Sequence, residues 1–141
     1  MQMNPYLSFD GQCETAFQFY EKRLGARLGA MFRYAGSPMA GEVPADWQDR
    51  IMHGSLVIGD QVVMGADVAP GCYEQPKGIS LSLQIKDTTE AERIFQALSE
   101  EGTVLMPLQK TFWAARFGML VDRFKIPWMI NCEGSDPLPG G

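Results

Sequence analysis

Over residues 4–9 apolar and polar positions alternate: Asn4, Tyr6 and Ser8 share one face, Leu7 and Phe9 the other, the period of a half-buried strand. After Asp10-Gly11 the period changes. Cys13, Ala16, Phe17, Tyr20 and Leu24 recur at i, i+3, i+4, i+7 and i+11, which predicts a helix over 13–24 with a single buried stripe. Gly25 stands at its C-cap position. A second strand follows through Leu28, Ala30, Phe32 and Tyr34. Residues 35–50 then lose all period, interrupted by Gly36, Pro38, Gly41 and Pro44. So long a connection is a lid, a partner contact or a surface loop, here anchored by Met39 and Trp47.

Strands over 51–58 and 61–67, joined by Gly59-Asp60, read as a hairpin whose two-residue, Gly-first turn fixes the register. Ile58 is expected opposite Gln61, Val57 opposite Val62, Ser55 opposite Met64 and His53 opposite Ala66. His53, Ser55, Val57, Val62, Met64 and Ala66 then share a face. Pro70-Gly71 through Lys77-Gly78 links to a second half with the same order of elements. A strand over 79–85 puts Ser80, Ser82 and Gln84 on one face. A helix over 89–100, opened by Thr89 with Glu92 reaching back, buries Ala91, Ile94, Phe95 and Leu98. Strands over 104–112, 115–121 and 128–132 complete it.

The halves also resemble each other in residues. A shift of about 76 positions lays Tyr6-Leu7-Ser8-Phe9 on Ser82-Leu83-Gln84-Ile85, Glu14 on Glu90 and Phe19 on Phe95. One further residue puts Gly102 in the place of Gly25. The expectation is an α+β fold of two βαβββ modules with pseudo-two-fold symmetry, forming a curved mixed sheet with any cavity between the halves. The modules are residues 1–70 and 71–133 of one structural domain, with a loose tail over 134–141.

Composition narrows the function. A chain of 141 residues, 45% apolar, suffices for one well-buried domain. It has no run of about 18 apolar residues, so no membrane-spanning helix is expected. Met1-Gln2-Met3-Asn4-Pro5 lacks a basic segment ahead of an apolar one, and no signal peptide is expected. Three widely spaced cysteines, Cys13, Cys72 and Cys132, suit reduced thiols in a cytoplasm rather than a disulfide framework or a CxxC metal site. A formal charge of −5 without a Lys/Arg cluster argues against a nucleic-acid partner.

Several stretches resemble the glyoxalase/bleomycin-resistance/dioxygenase (vicinal oxygen chelate) superfamily, and within it the PhnB-like group. They are Pro5-Tyr6-Leu7-Ser8-Phe9-Asp10-Gly11, Ala16-Phe17-Gln18-Phe19-Tyr20 through Leu24-Gly25-Ala26, and Met52-His53-Gly54 with Ile58-Gly59-Asp60. Further on come Thr111-Phe112-Trp113-Ala114, Phe117-Gly118, Asp122-Arg123-Phe124 and Pro127-Trp128-Met129-Ile130-Asn131. The resemblance covers nearly the whole chain. It implies a glyoxalase-like fold, a homodimer, and in the superfamily's enzymes a divalent metal held inside the cup of each curved sheet. The positions that correspond to those ligands hold Asn4, Met64, Ser80 and Met129. Thioethers do not replace the carboxylates and imidazoles such an ion wants, so no metal and no cofactor is expected.

What remains is a hollow lined by Asn4, Tyr6, Ser8, His53, Ser55, Met64, Ser80, Ser82, Gln84, Trp113, Phe117, Met119, Met129 and Asn131. Apolar walls with a few neutral polar groups suit a small-molecule ligand, and thioethers tolerate irregular shapes. The plainer alternative is that these side chains simply fill the concave face. His53 and Tyr6 are the candidate catalytic pair, His53 being the sole histidine. No Asp or Glu falls on its face to orient it, and a hydrogen-bonded structural histidine is the competing assignment. Arg116 points away from the hollow by alternation, and Asp122 belongs to the turn before the last strand.

Three functions follow as expectations. The first is metal-free binding of a small apolar or aromatic molecule, the mode of the superfamily's drug-sequestering members. The second is metal-independent proton transfer by His53 and Tyr6 on a small carbonyl substrate. The third is a structural homodimer without ligand. PhnB-like sequences also carry ubiquinone-methyltransferase and phosphonate labels. Here no Gly-rich loop follows a strand to hold a methyl donor, and no cationic cluster faces the hollow to hold a phosphonate.

Overall fold

The two periodicities of the sequence, two in the strands and 3.6 in the helices, set the order of elements in a computed structural model that describes residues 1–133. The expected loose tail, 134–141, lies outside the described residues. In chain order the elements are β1 (Tyr6–Phe9), α1 (Cys13–Leu24), β2 (Arg27–Arg33), β3 (Ile51–Ile58), β4 (Gln61–Asp67), β5 (Leu81–Ile85), α2 (Thr88–Ser99), β6 (Thr103–Gln109), β7 (Arg116–Val121) and β8 (Pro127–Cys132). Two single-turn 3-10 helices, Ala40–Glu42 and Ala45–Trp47, lie in the β2–β3 connection. The Gln48 carboxamide ties this connection together by donating to the carbonyl oxygens of Ala40 at 2.8 Å and Val43 at 3.3 Å.

The chain separates into two compact units, Met1–Gln75 and a second beginning at Pro76. Each is a βαβββ module with a four-stranded sheet, ordered β1-β4-β3-β2 in the first and β5-β8-β7-β6 in the second. In both, the first strand runs parallel to the last and the other neighbours are antiparallel. The architecture is the α+β, two-module, glyoxalase-like fold.

Helix α1 has the predicted limits, and Gly25 closes it in the left-handed region at φ 69°. It buries Cys13, Ala16, Phe17 and Tyr20, while Leu24 is only half-buried. In α2 Ala91, Ile94, Phe95 and Leu98 have the same spacing, with Ala97 buried beside them. The counterpart of Phe95 is therefore Phe17, not Phe19, which corrects the helical part of the repeat. The start of α2 is corrected as well. Asp87, not Thr89, is the N-cap, its carboxylate accepting the Glu90 N–H at 2.9 Å. A carboxylate facing the helix N-terminus also meets the positive end of the helix dipole. At the other end Glu101 takes the left-handed conformation, φ 58°, in place of Gly102. Gly102 is needed for room, since a Cβ there would lie 3.0 Å from Asp122 Cα.

The hairpin register is as expected from Ile58↔Gln61 to Ser55↔Met64, but the ladder ends at Gly54↔Gly65, short of His53 and Ala66. A bulge explains the stop: β2 pairs Phe32 with His53 and then Arg33 with Ile51, leaving Met52 without a partner. A second irregularity sets Gly29 and Ala30 against Ser55. Bulges break alternation, so Leu28 and Phe32, four residues apart on β2, do not share a face. Leu28 stands opposite core residue Leu56, and Phe32 opposite His53. Other strands are shorter than expected, β1 starting at Tyr6, β5 at Leu81, and β6 ending at Gln109.

Two buried carboxylates organise the units. Asp67, at the end of β4, accepts the backbone N–H of Cys13 and of Ile51, both at 2.8 Å, while the Tyr34 hydroxyl donates to the Asp67 carbonyl at 2.5 Å. Asp122, after β7, accepts from the Phe124 and Ile126 amides and from the Trp128 indole at 2.9 Å. The second matches the turn role read from sequence; the first was not anticipated.

Candidate functional site

In the first unit α1 covers one side of the sheet, and the predicted residues of β1, β3 and β4 occupy the other. Parallel pairing sets Tyr6 against Met64 and Ser8 against Ala66, and the hairpin sets Ser55 against Met64. Tyr6 Oη lies 3.1 Å from His53 Nδ1, with ring centroids 5.6 Å apart. Phe32 stacks on the other flank of the imidazole at 6.5 Å and 25°. Tyr6 and Phe32 remain about half exposed, at 53% and 54%. Phe32 was missed because the bulge moves it onto this face. Asn4 precedes β1 and uses its amide to donate to the Val62 carbonyl at 3.0 Å, a structural duty.

Burial, and secondarily the neighbouring Cys13, push the Tyr6 phenol above its ordinary pKa. The phenol therefore holds its proton through neutral pH and is a hydrogen-bond donor rather than a base.

In the second unit β5, β7 and β8 carry the corresponding set. Ser82 is opposite Met129, which is opposite Met119; Gln84 is opposite Asn131, which is opposite Phe117. The Asn131 amide donates to Gln84 Oε1 at 2.7 Å, and the Gln84 amide to Ser82 Oγ at 3.0 Å. Asn131 Oδ1 is buried and accepts no hydrogen bond from the described residues. Trp113 packs edge-to-face on Phe117 at 5.3 Å. Ser80 lies before β5, outside the strand ladder. Arg116 is on the helix side as alternation requires, 3.3 Å from Glu92 of α2.

The positions that would hold a divalent ion do not fit one. Asn4 has its amide engaged on a backbone carbonyl, and Met64 and Met129 are thioethers. Among the described residues no group of three or more His, Cys, Asp or Glu side chains could hold a metal ion. A hard or borderline ion has no adequate donor set here. The arrangement offers neutral hydrogen-bonding groups set among aromatic and thioether side chains. It also contains no helix, among the described residues, long and apolar enough to cross a membrane.

The likeness to known proteins runs the length of this scaffold. Residues 1–131 match the family described as 3-demethylubiquinone-9 3-methyltransferase. Protein YjdN of Escherichia coli K12 is 32% identical over 145 residues, an alignment covering 97% of this chain and 99% of YjdN. The crystal structure of PA1353 from Pseudomonas aeruginosa is 49% identical, covers 96% of this chain and 99% of its own, and superimposes with a TM-score of 0.87. The PhnB protein from Bacillus cereus, at 21% identity and with 94% and 99% of the two chains covered, shares the fold at a TM-score of 0.80. The chain thus belongs to the family described as 3-demethylubiquinone-9 3-methyltransferase.

Proposed function

We propose that the protein binds a small apolar or aromatic molecule, without a metal, on the sheet faces turned away from the helices. One observation carries this reading. The away-facing positions of β1, β3 and β4, and of β5, β7 and β8, hold Tyr6, Ser8, His53, Ser55, Met64, Ser82, Gln84, Phe117, Met119, Met129 and Asn131, with no Asp, Glu, Lys or Arg among them. Neutral polar groups that hydrogen-bond one another within an aromatic and thioether lining give a ligand orientation without the cost of desolvating a charge.

The family's descriptive name carries methyl transfer. The strand-to-helix turns that would have to hold a methyl donor are Asp10-Gly11-Gln12 and Lys86-Asp87, too short and too poor in glycine for that task.

The test is calorimetric titration with indole, naphthalene and toluene in the presence of a chelator, repeated on Met129→Ser and Met119→Ser. Binding that persists with chelator and weakens by about fivefold or more in either variant supports the reading. Binding that appears only after a divalent ion is added, or none by any probe, overturns it.

A second reading is proton transfer on a small carbonyl substrate, with the Tyr6 phenol as the donor and His53 Nδ1, 3.1 Å away, as the group that would take up its proton. His53→Ala separates the two: turnover lost with affinity kept indicates an enzyme, and unchanged behaviour indicates a binder.

A further inference from the structure

We propose that Tyr6 is a positioning residue that holds the neutral His53 ring with its proton on Nε2, so that the ligand taken by this face carries a hydrogen-bond acceptor, a carbonyl or carboxylate oxygen, on a planar group. The inference rests on the reading of the face as a binding surface.

Two arrangements satisfy a 3.1 Å separation between Tyr6 Oη and His53 Nδ1. Either the phenol donates to Nδ1, or an Nδ1–H donates to the phenol oxygen. Acid–base strength decides between them: a phenol is the better donor, and an unprotonated imidazole nitrogen is much the better acceptor. The environment of Tyr6 pushes in the same direction, since burial keeps its proton on. A neutral imidazole has one donor and one acceptor nitrogen, so Nδ1, once it accepts, leaves the proton on Nε2. The neighbouring positions on β1 and β4 are Ser8, Met64 and Ala66, none of which ionises near neutral pH. The orienting role that a carboxylate often takes beside a histidine is filled here by a phenol.

The consequence is chemical. An Nε2–H gives a hydrogen bond and cannot accept a proton. This face therefore selects for an acceptor and works against His53 as a general base at that nitrogen. The three rings set the shape. Tyr6 is tilted 34° and Phe32 25° from the imidazole plane, and both retain about half their surface. A flat group can lie along either ring and bring an oxygen to Nε2.

Because His53 is the only histidine in the chain, long-range ¹H–¹⁵N correlation spectra give one imidazole pattern without ambiguity. At a pH where that pattern shows the ring neutral, the expected result is a protonated Nε2 and an unprotonated Nδ1. In Tyr6→Phe the two nitrogens move toward the averaged values of a free imidazole. Acetophenone and ethylbenzene then serve as probes of similar shape, with and without the acceptor. Acetophenone is expected to shift the Nε2 resonance and to bind about tenfold more tightly than ethylbenzene, a preference lost in His53→Phe. A proton found on Nδ1 overturns the positioning role of Tyr6, whatever binds. Equal affinity for the two probes overturns the acceptor requirement. If neither probe binds, the binding surface itself is refuted, while the tautomer stands or falls on its own spectrum.

Discussion

The Asp67 carboxylate receives the backbone N–H of Cys13 at 2.8 Å, fixing the end of β4 to the first residue of α1. Its second oxygen holds the Ile51 amide at the start of β3. Asp67→Asn turns an amide donor against one of these donors. A buried donor left unpaired costs about 1–3 kcal/mol, and a loss of that size is expected by urea denaturation. Burial raises the Asp67 pKa, outweighing its backbone hydrogen bonds and Arg50. With the folded pKa above the unfolded one, the contribution of Asp67 is complete below the ordinary carboxylate value of about 3.9 and declines as pH rises through the folded value. The stability difference between wild type and Asp67→Asn should shrink over that interval. A difference that grows with pH there contradicts the assignment.

Asp122 serves the second unit in the same way, taking the Trp128 indole N–H and two amides. Trp128→Phe removes one donor and keeps a large ring, at an expected cost of about 1–2 kcal/mol. Asp122→Ala orphans three donors and should cost about 3 kcal/mol or more. Equal destabilisation by the two would show that ring volume, not the carboxylate, matters.

A methyl group at Gly65 would lie 2.9 Å from Phe17 Cζ and 3.0 Å from the Leu7 carbonyl oxygen. At Gly118 it would lie 2.6 Å from Phe95 Cε2 and 3.0 Å from Leu108 Cα. Gly→Ala at either site should cost about 1–3 kcal/mol, read as a lowered melting temperature. Gly59 has open space around it and φ 62°, so Gly59→Ala should cost only about 1 kcal/mol.

Cys13 and Cys132 are buried, Cys72 is exposed, and burial pushes the Cys13 thiol far above its usual pKa. A thiol-specific disulfide reagent should therefore titrate one cysteine in the native protein and three after unfolding. Fast reaction of two or more in the folded state would contradict this packing.

Chelation should leave the melting temperature unchanged. Stoichiometric addition of zinc, nickel or manganese should give no saturable heat above about millimolar affinity, since Asn4, Met64, Ser80 and Met129 supply no anionic or imidazole ligand. Tight one-to-one uptake of any of the three would reverse that conclusion.

Much of the scaffold could be read in advance, because α1 and the β3–β4 hairpin carry their own signals. A stripe at helical spacing bounded by Gly25, and a Gly-first turn, are local instructions. The same alternation placed Tyr6, Met64, Phe117, Met119, Met129 and Asn131 correctly within their sheets. What failed depended on contacts far along the chain. Phe32 could not be assigned to the His53 cluster, because a bulge re-aims it and bulges leave little trace in sequence. Asp67 drew no assignment beyond closing the strand over 61–67, because its partners, Cys13 and Ile51, lie far from it in sequence. At α2 the sequence reading placed the cap at Thr89, and the dipole-facing carboxylate of Asp87, two residues earlier, is the one used.

The parallel pairing of β1 with β4, and of β5 with β8, constrains how the protein is made. Each unit lays its opening strand beside its closing one, so the earliest segment to leave the ribosome waits for the latest before its ladder can form. Helix α1 and the β3–β4 hairpin can form as local structures during that wait, while Leu7 and Phe9 stay uncovered. Each unit's sheet is therefore expected to close only once its own final strand is available.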